Sequence, residues 1–352
     1  MEFAFDSEQQ MIAETARSFF VKNATSERTR RAMAEDGIDH ALWTAFCQEL
    51  GFSGIGIPES LAGSGLGLVE FAVVAEAAGA HVAALPMLGS LALCAQAIAA
   101  GGSAEQKEVL LPSLLSGETI AAYAHGLGIT AEGNTLNGEA GFVAHGASAH
   151  VLVVTNAINA WVVRTDAPDV TVTPLTTMDQ TRPYARVVFA GAAGEPMAQP
   201  QAAIGSAHRA GFVAIAAEAL GGAQACLDRT VAYSKERVQF GRPIGSFQAY
   251  KHRLADMMIE IEQARSAVYW AACAVDEGSE DAELAIHAAK VFAADTYFMC
   301  ASNMIQLHGG IGFTWQHDAH LFFKRARALQ TMFGNGDWHR EQIAGMILGD
   351  MA

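Results

Sequence analysis

Prolines are few, 9 among 352 residues, and aromatic side chains make up only 8% of the chain. Scarce helix breakers, 13 methionines and abundant alanine favour a mainly helical protein over a β-rich one. Positive charge is also short: 22 lysines and arginines stand against 37 aspartates and glutamates, a formal net charge of -15. A surface of that sign repels polyanions at long range, so no nucleic acid and no membrane is expected as a partner. The densest basic run near the start, Arg28 to Arg31, reads as a solvated helix face. Apolar stretches such as Leu91 to Ala100 and Phe212 to Ala217 are too short to cross a bilayer and read as buried helices. The N-terminal Met1-Glu2-Phe3-Ala4-Phe5-Asp6 carries acid where a secretory leader needs base, so export is not expected. The 5 cysteines, Cys47, Cys94, Cys226, Cys273 and Cys300, are scattered and lack metal-ligand spacing, so no metal is expected. They read as reduced core residues, which makes the cytoplasm the expected compartment.

What the chain does have is apolar mass. At 51% hydrophobic residues it can bury a large core, divided over two or three structural units. Ser7-Glu8-Gln9-Gln10 reads as a capping box that opens a helix with Ile12, Ala16 and Phe19 on one face. Further helical stretches run through Leu42 to Leu50, Leu68 to Ala78 and Met87 to Ala100, joined by glycine-rich turns at 51–59 and 63–67. Those turns are no dinucleotide fingerprint, because no strand-to-helix unit surrounds them. From about Glu118 the pattern changes to short β-branched runs: Gly141 to Val143, Val151 to Val154, Trp161 to Val163, Val170 to Val172 and Val187 to Phe189. Gly191 to Gln201 reads as a loop. Beyond about Ile204 bundle-like spacing takes over, in Leu254, Met258, Ile261, Val268, Ala272 and Val275 and again in Leu284, Ala288, Val291 and Phe298. The expected fold class is α+β, mainly α: a helical domain over 1–116, a small β-domain over 117–200 and a helical bundle over 201–352.

Two stretches of the last region carry chemistry, Arg237-Val238-Gln239-Phe240-Gly241-Arg242-Pro243-Ile244-Gly245-Ser246-Phe247-Gln248 and Gln306-Leu307-His308-Gly309-Gly310-Ile311-Gly312-Phe313-Thr314-Trp315. Arg237 is a permanently charged donor suited to a pyrophosphate, Phe240 can lie against a ring, and Gln239 and Gln248 can donate to phosphate or sugar oxygens. Gly309 and Gly310 lack the side chains that keep an anion from backbone amides. Taken alone, the first stretch also reads as a helix end with an ordinary surface arginine and a turn at Gly241-Arg242-Pro243.

Together the two stretches resemble those of the acyl-CoA dehydrogenases, as does the Pro58-Glu59 turn followed by Gly63-Ser64-Gly65. The resemblance covers essentially the whole chain and implies a helical domain, a β-barrel or sandwich and a four-helix bundle. It implies FAD as cofactor, held by Arg237, Gln239, Phe240 and Gln248 of one subunit and reached from a neighbour by Gln306, Gly309 and Gly310. It further implies an oligomer, dimer or tetramer, that dehydrogenates an acyl-CoA to the trans-2-enoyl-CoA and passes electrons to an electron-transfer flavoprotein.

The same resemblance exposes departures. In the place of the family's catalytic glutamate, within Thr331-Met332-Phe333-Gly334-Asn335-Gly336, stands Phe333. In the second place known for that base, before Arg209, stands His208; Asp337 is the nearest acid to the turn. These two are the candidates for a catalytic base, which otherwise stays unassigned. Glu218 reads as half of an ion pair. Ala121 to Gly128 replaces a stretch that supplies hydroxyls to the flavin, and Phe142-Val143-Ala144 replaces a Trp-x-Thr. The losses fall on the reacting end and spare the nucleotide end, which is similar to partner subunits of heteromeric acyl-CoA dehydrogenases. The chain is therefore expected to be a divergent homo-oligomer or the degenerate subunit of a heteromer. The alternatives are a flavin-free scaffold or acyl-CoA-binding subunit, and a flavin oxidase or monooxygenase on the same fold. Analogy with the heteromeric members suggests a bulky polycyclic or branched acyl-CoA.

Overall fold

The structure is a computed structural model that describes residues 5–349, so the start of the N-terminal stretch read above lies outside the described residues. Helices come first: α1 Ser7–Asn23, α2 Ser26–Ala34, α3 His40–Thr44, α4 Leu68–Gly79, α5 Gln96–Gly101 and α6 Ala104–Leu115. Strands follow: β1 Ala121–His125, β2 Thr130–Glu132, β3 Thr135–Ala144, β4 Val151–Thr155, β5 Ala160–Arg164, β6 Val170–Leu175, β7 Tyr184–Ala193 and β8 Glu195–Pro196. The rest is α7 Pro200–Glu236, a hairpin of β9 Val238–Gln239 and β10 Arg242–Pro243, then α8 Gln248–Asp276, α9 Ala282–His308, α10 Ala319–Thr331 and α11 Gly336–Leu348. By contacts the chain divides into two compact units, one of Met1–Ser26, Ala72–Ala83 and Phe212–Ala352, the other of Glu27–Phe71 and Ala84–Gly211. This grouping cuts across the three sequence regions, because helices distant in sequence share one core.

In the second unit two four-stranded sheets, ordered β1-β4-β5-β8 and β2-β3-β7-β6, enclose a core of Ala122, Leu136, Val143, Leu152, Val154, Trp161, Val187 and Phe189. β1 pairs in parallel with β4, from Ala121↔Val151 to His125↔Thr155. It gives no sequence signal because its Ala-Ala-Tyr-Ala run is buried throughout and so neither alternates nor carries β-branched residues. The stretch read as a loop from Gly191 instead finishes β7, forms β8 and opens α7 at Pro200, where a proline suits a first helical turn. The helix expected through Leu50 passes from α3 into a π-helical segment, Ala45–Glu49, and a second one, Leu88–Ala95, precedes α5. Arg28 is not simply solvated: it forks onto Asp39 at 2.6 and 2.7 Å, and Asp39 also caps α3 through the Leu42 amide.

The first unit begins with a capping box one residue earlier than expected. Asp6, not Ser7, accepts from the Glu8 and Gln9 amides at 2.9 Å, and Gln9 answers the Asp6 amide at 3.2 Å. An ionised carboxylate at a helix N-terminus outcompetes the neighbouring hydroxyl because the helix dipole favours it. In α8 it is Met257, not Met258, that is fully buried, a shift of one position along the stripe. Glu218 meets its expected ion pair, with Arg325. Among the described residues α7 is long and apolar enough to cross a membrane, but 94% of its most apolar window is buried, as in a core helix.

Within this unit α4 and α7 touch backbone to backbone. A Cβ on Gly221 would lie 1.8 Å from the Glu76 carbonyl oxygen, and one on Gly79 would lie 2.1 Å from that of Glu218. No side chain can yield there, so the helices would have to separate. Gly221→Ala is expected to destabilise by about 3 kcal/mol, read as a lowered urea midpoint at unchanged m-value.

Candidate functional site

Two segments of the first unit build the candidate site. The chain leaves α7, turns through Phe240-Gly241 and returns along β10, with Arg242 opposite Gln239 and Pro243 opposite Val238. Both turn residues are left-handed, Phe240 at φ 54° and Gly241 at φ 77°, the geometry that matches strand twist in a two-residue hairpin. Glycine adopts it freely; a phenylalanine does so only at a steric cost. That cost is met while the Phe240 ring stays 91% exposed, so packing in this chain does not reward it. The hairpin is braced from behind: Arg242 lies 4.0 Å over the Phe247 ring, Phe240 meets Phe247 edge-on at 6.2 Å, and the Ile244 amide donates to the Arg237 carbonyl at 2.8 Å. Arg237, Gln239 and Gln248 are all exposed around it, Gln248 as the first residue of α8. The structure thus replaces the simple helix end with a short, strained hairpin.

The second segment ends α9. Gly309 takes φ 63° and ψ -142°, a backbone region that only glycine enters easily, and a 3-10 turn runs on from Gly309 to Phe313. A Cβ at Gly309 or Gly310 would meet nothing within 4 Å, so the backbone there is open to close approach, although the Gly309 amide itself donates to the Gln306 carbonyl. Gln306 is exposed one turn earlier. Two ties bring the segments together: the Tyr233 ring stacks on His308 at 4.4 Å, and the Tyr250 hydroxyl donates to the Leu307 carbonyl at 3.1 Å. His308 is fixed in turn by its Nδ1 contact with the Met304 carbonyl, 2.7 Å, and burial pushes its pKa below the ordinary histidine range. Tyr233, Tyr250 and His308 escaped sequence reasoning because their role is internal support, which no ligand-like spacing announces.

An exposed guanidinium, three exposed amide side chains and two glycines whose backbone a ligand can approach closely suit an anion carrying an aromatic group. The residues present therefore fit the nucleotide half of a dinucleotide cofactor.

The catalytic candidates fare differently. Asp337 sits in the first turn of α11 with its side chain 93% exposed and Arg340 at 3.3 Å, on the solvent side and not in a closed cleft. His208, in the second unit, lies edge-on to Tyr123 at 6.4 Å and to His125 at 6.5 Å. His125 bonds Thr155 at 3.1 Å, and desolvation pushes its pKa down. This imidazole and phenol group on β1 and α7 was not read from the sequence, since residues 123, 125 and 208 meet only through the fold. Phe142 projects outward from β3 beside buried Val143. Phe333 stands in a left-handed turn, φ 53°, followed by Gly334 at φ 108°.

Comparison with known proteins agrees with this plan at both ends. Residues 6–118 match the acyl-CoA dehydrogenase N-terminal domain, and residues 209–348 match the acyl-CoA dehydrogenase C-terminal domain. The chain is 38% identical to acyl-CoA dehydrogenase IpdE2 of Mycobacterium tuberculosis, over 91% of each protein. It superposes on a chain of the ChsE4-ChsE5 complex from Mycobacterium tuberculosis with a TM-score of 0.93 at 27% identity, covering all of both chains. On a chain of the Tcur3481-Tcur3483 steroid ACAD the TM-score is 0.88 at 29% identity, over 97% of this chain and 98% of that one. These matches make the chain an oxidoreductase. The chain belongs to the acyl-CoA dehydrogenase family.

Proposed function

We propose that this chain is the cofactor-holding, base-deficient subunit of a heteromeric, FAD-dependent acyl-CoA dehydrogenase. One observation carries the reading: the nucleotide-end residues stand exposed on a braced hairpin and an open glycine turn, while Phe333 occupies the turn where the family keeps its base. Arg237 would pair with the pyrophosphate, Phe240 would lie against a ring, Gln239 and Gln248 would donate to phosphate and sugar oxygens, and Gln306 would reach the adenine-phosphate half of a neighbouring subunit's cofactor. Gly309 and Gly310, lacking side chains, would let the anion come close to the backbone. FAD, when bound, supplies the hydride acceptor for α,β-dehydrogenation of an acyl-CoA.

A phenyl ring takes no proton, so the glutamate that removes the α-proton comes from a second, complete subunit. Two features support an assembly of that kind. The Phe240 and Phe313 rings are almost wholly exposed and Trp315 is half-exposed, more aromatic surface than a lone chain hides well. In addition, similar chains occur in the two named complexes of paired proteins. We place the assembly, a dimer or tetramer, in the cytoplasm, in keeping with 5 cysteines that are all free. Its electrons would pass to an electron-transfer flavoprotein, and its substrate would be a bulky polycyclic or branched acyl-CoA.

The test is anaerobic bleaching of flavin absorbance by candidate acyl-CoAs. The chain alone is expected to give none; the chain co-purified with a complete family member is expected to bleach. Substituting that member's own glutamate by glutamine should abolish bleaching, whereas residual bleaching would point to a base in this chain.

A further inference from the structure

Behind the 331–336 turn, and within the same unit, lies a buried basic cluster that none of the cofactor-side residues uses. His339 and Lys290 are fully buried and His287 nearly so. The Nδ1 atoms of His287 and His339 are 2.8 Å apart, so one must carry a hydrogen and the other a lone pair. Two imidazolium rings would set N–H against N–H. The Nε2 atom of His339 is buried without a hydrogen-bond partner, and the walls are apolar, with Phe212 at 5.3 Å from His287 and 5.1 Å from His339. Trp338 closes the cluster at 5.6 and 4.9 Å.

The cluster is mechanically joined to the turn. The Lys290 ammonium donates to the Gln330 and Gly334 carbonyls. The His339 amide donates to the Asn335 carbonyl at 3.2 Å, and the Asn335 side chain accepts from the Trp338 amide at 2.9 Å. The Trp338 ring lies so close over Gly334 that a Cβ there would meet it at 2.4 Å. These contacts flank Phe333, whose backbone is left-handed.

Charges around the pair offer little relief. On α9, Glu283 favours the charged form of His287 while Lys290 opposes it in both histidines. Asp295 faces Lys290 but is already bonded by Arg340 at 2.6 Å and Gln330 at 2.8 Å. On α11, Asp337 is paired with Arg340, α10 presents the Gln330 carbonyl, and α7 presents the Phe212 ring.

We propose that His287, His339 and Lys290 form a proton-responsive latch that clamps the 331–336 turn and α11 onto α9 and releases them on acidification. Burial pushes His339 down to about 3 and Lys290 to about 8, with His287 also lowered. In the released state both histidines regain an ordinary pKa near 6.5. The latched state holds fewer protons, so it is favoured above that pH and loses ground as pH falls below it, roughly tenfold per pH unit from His339, with His287 adding in the same direction. The latch does not depend on which subunit supplies the base.

Hydrogen exchange of the full chain between pH 8 and 5, corrected for intrinsic rates, tests this. Protection over 331–348 should fall at least roughly tenfold per unit below pH 6.5, with α8 unchanged. In the double variant His287→Leu/His339→Phe that pH dependence should vanish. The same slope persisting in the double variant, or a flat wild-type profile whatever the variant does, would overturn the latch.

Discussion

Replacing Arg237 by alanine in the assembled enzyme is expected to strip most of its FAD while leaving the fold intact. The side chain is exposed and braces nothing, so thermal unfolding of the flavin-free proteins should agree within about 1 °C, consistent with a surface change worth a few tenths of a kcal/mol. Toward a pyrophosphate, by contrast, a guanidinium forms charge-assisted bonds worth about 1.5–3 kcal/mol, or roughly ten- to a hundredfold in affinity. Lysine at this position keeps the charge but loses the fork, so Arg237→Lys should retain an intermediate fraction. The readout is the ratio of flavin to protein absorbance after gel filtration. Unchanged flavin in Arg237→Ala would assign the hairpin a purely structural role.

Arg325→Met is the substitution expected to cost most stability. Its guanidinium and the Glu218 carboxylate are nearly inaccessible, at 2% and 4% side-chain exposure. Removing the cation leaves a carboxylate buried without its counter-charge, at a cost of about 3–5 kcal/mol. A domain stable by roughly 5–15 kcal/mol loses a large share of its margin in that way. The double variant Glu218→Leu/Arg325→Met removes both charges and should regain most of the loss, because desolvating an ion pair consumes much of its own attraction. Urea unfolding of the four proteins of the cycle measures the coupling; additive losses would mean that the two groups do not depend on each other.

Patterns that repeat along the chain were readable, and contacts between distant residues were not. Helical periodicity and the β-branched runs announced the succession of helices, strands and helices, and the paired glycine and arginine stretches announced the family. β1 stayed hidden because alanine carries little strand preference and its Ala121 to Ala124 run is covered on both faces. The Phe240-Gly241 hairpin stayed hidden because a phenylalanine is the wrong residue for a left-handed turn. The helix start moved from Ser7 to Asp6 because both side chains suit a cap and only the dipole separates them. His287 and His339 lie on different helices, 52 residues apart in sequence, and no spacing rule joins them. At the site, the stretches around Arg237 and Gly309 were legible as local motifs. A missing carboxylate at 333 was legible only against the family's pattern.

The most direct test of the account is the FAD content and oligomer mass of this chain purified alone and together with a complete acyl-CoA dehydrogenase subunit. The account predicts a colourless, inactive chain when alone. It predicts a yellow, active hetero-oligomer with fewer flavins than subunits when the two are purified together. A yellow, active homo-oligomer holding one FAD per chain would contradict it.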